Sequence, residues 1–253
     1  MRSRSEFPVR AGLTLALVGT LGLALYFSGY EWNFEPAWRY QRLYWNGLGI
    51  TVGATACAYV IGIVLGTAVA LARLSPSLPI RHLGDLYVEL IRGTPFIVQI
   101  SIAYFGIAPI LKVDNKFFVG TLALGVFAAA YIGEIFRAGI QSIDRGQFEA
   151  GRSLGLSRQK TLRHIVFPQA FRRMIPPLTG ELIALTKESS LLYVIALTDL
   201  MAGARQIGAA TYKHFEAYLV VAAFYLTLTI PLSLVARRLE RRLGKSEQLG
   251  AHL

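Results

Sequence analysis

Residues 144–171 read DRGQFEAGRSLGLSRQKTLRHIVFPQAF, a basic, polar island between long apolar stretches. Its residue order predicts two short helices joined at a bend. Gln147 to Ser153 reads as the first helix, Gly155 suits the left-handed position just past its end, and Ser157 suits the cap of the second. Pro168 is expected to stop the second helix, because its ring removes a backbone donor. Leu162, Ile165 and Val166 fall on one side of that helix, while Arg158, Lys160 and Arg163 fall on others. Such an element can rest on apolar protein and present polar groups outward.

The flanking sequence says what it rests on. Of 253 residues, 54% are hydrophobic and 16% charged, with mean hydropathy +0.47. That composition is too apolar for an ordinary soluble domain and fits a lipid bilayer as solvent. Six stretches approach the about 20 residues that cross roughly 30 Å of hydrocarbon. They are Ala11 to Gly29, Leu48 to Ala72, Tyr87 to Leu111, Phe118 to Ile140, Pro177 to Met201 and Ala217 to Ala236. The expected fold is therefore an all-α, multi-pass integral membrane protein of about six transmembrane helices. Arg2, Arg4 and Arg10 precede the first stretch as in a signal peptide. Its apolar run is longer than the about 7–15 residues of a signal core, so a retained helix is expected.

Positive charge gives the orientation. With both termini inside, nineteen of the 26 Lys and Arg residues lie on or near the cytoplasmic side. Only Arg39, Arg42, Lys112, Lys116, Arg205 and Lys213 face outward, and Lys187 lies within the fifth stretch. The island then faces the cytoplasm. The net charge of +11 is spread between spans and forms no basic domain, which argues against a nucleic-acid partner. Cys57 is the only cysteine, so no intrachain disulfide can form. Trp32, Trp38 and Trp45 suit a headgroup-level belt in the external connector. Gly49/Gly53 and Gly62/Gly66 have the spacing that permits close helix packing.

Glu149, Ala150, Gly155, Ile165 and Pro168 match the EAA motif of permease subunits in ABC importers, with Gly151 standing for the second Ala. YVELIRGTPFIVQ (87–99), AAYIGEIFRAGIQSIDRGQFEA (129–150) and LTKESSLLYVIALTDLM (185–201) also resemble the polar amino acid branch of that family, the histidine, glutamate, glutamine and arginine permeases. The resemblance covers roughly Gly47 to Gly244. It implies a five-helix type I importer core over 47–244 with the coupling loop at about 144–171. The additional N-terminal helix and its connector occupy 1–46, and a cytoplasmic tail occupies 245–253. It further implies a bacterial inner membrane, a second permease subunit, identical or related, and a periplasmic or membrane-anchored solute-binding protein. The island becomes the coupling helix, with Glu149 as its anchoring carboxylate, Gly155 as its bend and Pro168 as its return into the membrane.

A phosphate-binding loop needs GxxxxGK followed by Ser or Thr. Only Gly244-Lys245-Ser246 approaches it, and Leu239 stands where the first Gly is required. No cofactor is therefore expected on this chain, and ATP with Mg belongs to a separate ATPase subunit.

Charges inside the stretches mark a candidate path. Glu181, Lys187 and Glu188 together cost on the order of 8–10 kcal/mol at a helix centre, against about 5 kcal/mol returned by the apolar residues around them. They must sit near an end, pair, or line a wet cavity. Ser189 and Ser190 follow directly. Arg92 adjoins Gly93-Thr94-Pro95, where Pro95 withholds a donor. Glu134 is another carboxylate, and Gln99 closes the quoted third-stretch motif. An amino acid zwitterion needs donors and acceptors, and this set offers both. Interhelical ion pairing is the competing role for each charge.

Two other functions are disfavoured. An intramembrane serine protease needs a His base near its Ser, and His82, His164, His214 and His252 all lie outside the stretches. An ion-coupled secondary transporter would show internal repeats, and none is evident. An opine or sulfur amino acid remains the alternative substrate within the same family.

Overall fold

The computed structural model describes residues 19, 20, 22 and 29–250, with side chains described to 241. Apart from 19, 20, 22 and 29, the expected first span lies outside the described residues. Among the described residues the chain is helical with no strand, as composition predicts. In order come α1 (Glu35–Arg39), α2 (Gln41–Arg73), α3 (Leu78–Gly93), α4 (Phe96–Ile110), α5 (Lys116–Gln141), α6 (Arg145–Ser153), α7 (Arg158–Thr161), α8 (Phe167–Glu188), α9 (Leu200–Thr211) and α10 (His214–Gly250).

Three helices, α2, α5 and α10, are long and apolar enough to cross a bilayer alone. They lie where hydropathy placed the second, fourth and sixth spans. The third expected span is not one rod, since α3 and α4 meet at 101°. Pro95 explains the break: it lacks an N–H and pushes Thr94 out of helical geometry, to φ −124° and ψ 144°. The fifth expected span is also divided. It leaves α8 at Glu188, tightens to a 3-10 segment over Ser189–Ile195, and reverses at Ala196 with φ 56° before α9. The described residues thus supply three single-helix spans, or four with the bent pair counted as one, and do not reproduce six one for one.

The crossing of α2 and α5 organises the bundle. An added Cβ on Gly66 would stand 3.0 Å from Gly133 N, and one on Gly62 would stand 2.9 Å from Ala128 Cβ. The two backbones touch because these side chains are absent, which is how lipid-embedded helices gain dispersion contact without a hydrophobic driving force. Gly49 behaves differently: a Cβ there meets nothing within 4 Å. Buried Ala54, Ala58, Leu124, Ala128 and Ile132 continue the α2–α5 seam. Phe96 and Ile100 of α4, Leu185 of α8, and Leu192 and Ile195 of the 3-10 segment close over it.

A second core of Tyr44, Leu200, Ala204, Ile207, Ala217 and Val221 joins α2, α9 and α10. At one end of the hairpin, fully buried Glu216 ties the segment before α1 to it. It accepts the Tyr30 hydroxyl at 2.8 Å and the Asn33 backbone N–H at 3.1 Å. Trp38 and Trp45 stay exposed as an interfacial belt requires, whereas Trp32 stacks on Phe34 and packs against Tyr30 and Phe215.

Candidate functional site

Helix α6 begins two residues earlier than its sequence suggests, because Asp144 caps it by accepting the Gly146 N–H at 2.6 Å. Its end is a Schellman motif. Gly155 takes φ +71° and donates to Arg152 O at 2.9 Å, while Leu156 donates to Gly151 O at 3.0 Å. Ser157 then caps α7, its hydroxyl accepting the Lys160 N–H at 3.4 Å. The bend and the Ser157 cap therefore agree with the sequence reading.

Gly151 has a reason to replace the usual alanine. A Cβ at 151 would lie 2.5 Å from both Cγ2 and Oγ1 of Thr161. Thr161 is β-branched and buried, so it has no room to yield. The contact sets the angle between the two arms. On the outer surface Glu149 and Ala150 are exposed, and Leu154 is 75% exposed. A cleft of about 650 Å³ beside them is lined by Arg145, Phe148, Glu149, Arg152, Leu156, Arg158 and Thr161. The inner surface packs instead. Ile143, Val166, Ala170 and Met174 form a buried cluster with Phe148 against it, and Ile165 is half-buried.

Pro168 corrects the sequence expectation. It does not end the second helix: α7 runs through a π turn over Leu162–Val166 directly into α8, and Pro168 sits in the first turn of α8. Pro168 gives no N–H to the preceding turn, and the wider π turn there makes room for its ring, so the helix continues past it. The Gln169 amide donates to Ile165 O at 3.0 Å and to Gln147 Oε1 at 3.1 Å, bracing α8 on α6. The exposed arm and the helix bearing Glu181 and Glu188 are consequently one continuous helical path, with the π turn before α8 and Pro176 and Pro177 inside it.

Arg92, at the C-terminal end of α3, places its guanidinium carbon 5.3 Å from the Tyr131 ring centroid. Glu181 is half-buried on α8, within electrostatic reach of Arg92, Glu188 and the Tyr59 hydroxyl. Tyr59 itself donates to Leu178 O at 3.0 Å. The geometric contacts here are the Arg92–Tyr131 stacking between α3 and α5 and the Tyr59–Leu178 bond between α2 and α8, with the two α8 carboxylates within electrostatic range. Lys187 points to the exposed side.

The remaining candidates lie elsewhere. Gln99 holds the α3–α4 bend, its amide donating to Ile91 O at 2.7 Å, Thr94 O at 3.0 Å and Thr94 Oγ1 at 2.9 Å. Gly93 and Pro95 form that bend. Glu134 joins an ionic network with Arg73 and Arg137, and Arg73 also pairs with Asp85 at 2.6 Å. That network binds α2, α3 and α5 together. Ser189 and Ser190 turn towards Tyr225 of α10. Tyr59, Tyr131 and Arg73 were not candidates from sequence, since nothing local marks an aromatic or basic residue for a partner so distant in the chain.

The profile of the family described as binding-protein-dependent transport system inner membrane component matches residues 58–245. The arginine transport system permease protein of Bacillus subtilis (strain 168) is 38% identical over 203 residues, covering 80% of this chain and 93% of that one. The probable glutamine ABC transporter permease protein of the same organism is 42% identical over 205 residues, covering 81% and 94%. A solved chain from an amino acid ABC transporter with histidines superposes with TM-score 0.79 at 37% identity, over 84% of this chain and 100% of that chain. The profile spans most of the chain and the relatives are matched nearly end to end; the chain belongs to the binding-protein-dependent transport system inner membrane component family.

Proposed function

We propose that this chain is the permease subunit of an ATP-driven importer of polar amino acids. The observation that carries the reading is the continuous helical path from α7 through the π turn into α8, which joins an exposed two-armed element to the helix bearing Glu181 and Glu188. In this reading the arm lies on the cytoplasmic side of a bacterial inner membrane, with both chain termini inside. A separate ATPase subunit, holding ATP and Mg, grips α6 around Glu149, Ala150 and Leu154. Gly151 and Gly155 fix the arm's shape, and Ile165 and Pro168 carry it into α8. A helix-based lever transmits a rigid-body movement with little loss to bending. Closure of the ATPases then shifts α8 against the α2–α5 seam and turns the cavity outward for delivery by a solute-binding protein. Residues 47–244 are the transport domain, paired with a second permease, and residues 1–46 add the peripheral helix.

The Arg92 guanidinium and the two α8 carboxylates, within electrostatic range of one another, suit a zwitterion. The Arg92 guanidinium can accept a carboxylate in its planar fork, and Glu181 with Glu188 can hold an ammonium. Names of the relatives, an arginine and a glutamine permease among them, support an amino acid cargo.

The test is a substrate panel. The complete transporter, reconstituted with its ATPase and binding protein in proteoliposomes, is expected to take up radiolabelled arginine, glutamine or histidine on ATP addition. Uptake of a sugar or an opine with none of these amino acids moving would overturn the assignment of cargo.

A further inference from the structure

Helix α9 is held on one side only. Leu200, Ala204 and Ile207 are buried against α2 and α10, and Asp199 caps the helix by accepting the Ala202 N–H at 2.8 Å. Arg205 and Gln206 lie away from that face and are exposed. The chain reaches α9 through the left-handed residue Ala196, whose N–H donates to Tyr193 O at 2.9 Å. That reversal folds α9 back on the 3-10 segment and leaves a cleft of about 340 Å³, whose lining includes Tyr193, Ala196, Thr198, Arg205 and Gln206. Arg205 places its guanidinium carbon 4.6 Å from the Tyr193 ring centroid. Among the described residues it forms no hydrogen bond and no ion pair. Its donors are therefore held in place and unused. No carboxylate lines the cleft, so nothing in its wall competes with an incoming anion.

We propose that Arg205, with Gln206 and Thr198, is a carboxylate-recognition site that takes the amino acid cargo at the end of α8 remote from the arm. A planar guanidinium meets a carboxylate with two parallel N–H donors, which an ammonium does not. The Gln206 carbonyl and the Thr198 hydroxyl supply acceptors for the cargo's ammonium. The cleft falls at the small end of ligand sites, which run to about 300–1,000 Å³, and so suits one amino acid better than a lobe of a partner protein. Its place fits as well. The 22 residues of α8 extend about 33 Å, close to a hydrocarbon thickness, and the 3-10 segment carries the chain on from Glu188 to the cleft. Arm and cleft therefore lie at opposite ends of one helical path. Arg92 sits by Tyr131 in the same manner, 5.3 Å from the ring centroid, so a carboxylate leaving Arg205 has a second ring-supported guanidinium to meet. The inference rests on the proposed amino acid cargo.

Protection of Arg205 from phenylglyoxal, which modifies guanidinium groups, is read by peptide mass spectrometry on the wild-type permease with its ATPase in phospholipid nanodiscs. Histidine or glutamine is expected to slow modification of Arg205 severalfold. Histamine, which is histidine without its carboxylate, is expected to leave the rate unchanged. In the reconstituted transporter, Arg205→Gln is expected to lower the amino acid delivered per ATP hydrolysed by about tenfold, with Arg205→Lys intermediate. Tyr193→Leu removes the supporting ring and should lower delivery too, whereas Tyr193→Phe keeps the ring and should not. Stimulation of ATP hydrolysis by the loaded binding protein should stay at the wild-type level in all four. Equal modification of Arg205 with and without amino acid, protection by histamine equal to that by histidine, or wild-type delivery by Arg205→Gln would each overturn the site. Loss of ATPase stimulation in Arg205→Lys, the mark of a docking contact, would overturn it as well. Failure of the wild-type transporter to take up any amino acid would instead overturn the cargo assignment.

Discussion

Replacing Glu149 by lysine is expected to abolish transport while leaving the permease folded in the membrane. Glu149 is exposed on α6, and the contacts that shape the arm lie elsewhere: the Asp144 and Ser157 caps, the Gly155 bend and the Gly151–Thr161 contact. Charge reversal therefore costs the fold little. It changes the proposed docking surface greatly, because the sole carboxylate lining the cleft becomes a cation beside Arg145, Arg152 and Arg158. A partner built to meet a carboxylate then faces only positive charge. Loss of a central interface charge costs about 2–4 kcal/mol, so ATP-dependent uptake should fall about a hundredfold or more. The ATPase should also no longer co-purify. Normal uptake by the Glu149→Lys variant at wild-type abundance would remove Glu149 from the coupling surface.

Gly66→Leu is expected to have the largest effect on folding. The atoms facing position 66 are Gly133 N at 3.0 Å and Ala129 O at 3.1 Å, both backbone, with Ile132 Cγ2 at 3.0 Å. A backbone cannot rotate out of the way as a side chain can, so α2 and α5 must separate. Overpacking usually costs about 1–3 kcal/mol, and here the seam that carries the main core opens, so at least the upper end is expected. Gly49→Leu, on the same helix, supplies the control, since a Cβ there meets nothing within 4 Å. Thermal unfolding in detergent should show a strong decrease for Gly66→Leu and little change for Gly49→Leu. Equal midpoints for both variants would contradict the close crossing.

The two glycine pairs also show what a sequence cannot resolve. Gly49/Gly53 and Gly62/Gly66 share one spacing, but only the second pair meets the backbone of another helix, and that depends on the rotation of α2 in the bundle. Hydropathy places α2, α5 and α10 well because a straight apolar helix is what a bilayer selects. It fails over 87–111 and 177–201 because a running average does not register a local break. Pro95 signals its break once it is read as a constraint on Thr94. Ala196 carries no such signal, since the left-handed position it occupies usually falls to Gly. Pro168 misleads because a proline beginning a helix and one following a helix leave the same trace in sequence. The bend of the exposed arm is fully legible, since caps and C-terminal glycines act over three to five residues. The setting of Glu134 is not: its partner Arg73 comes from a distant helix and meets it only in the folded bundle.

Uphill uptake in proteoliposomes, measured with and without the ATPase, bears most directly on a permease driven from outside through the α6–α7 arm. With ATPase, binding protein and internal ATP, labelled amino acid should accumulate against its gradient. With the ATPase omitted and all else retained, accumulation should vanish. Concentrative uptake by the permease alone, driven by an ion gradient, would contradict the account.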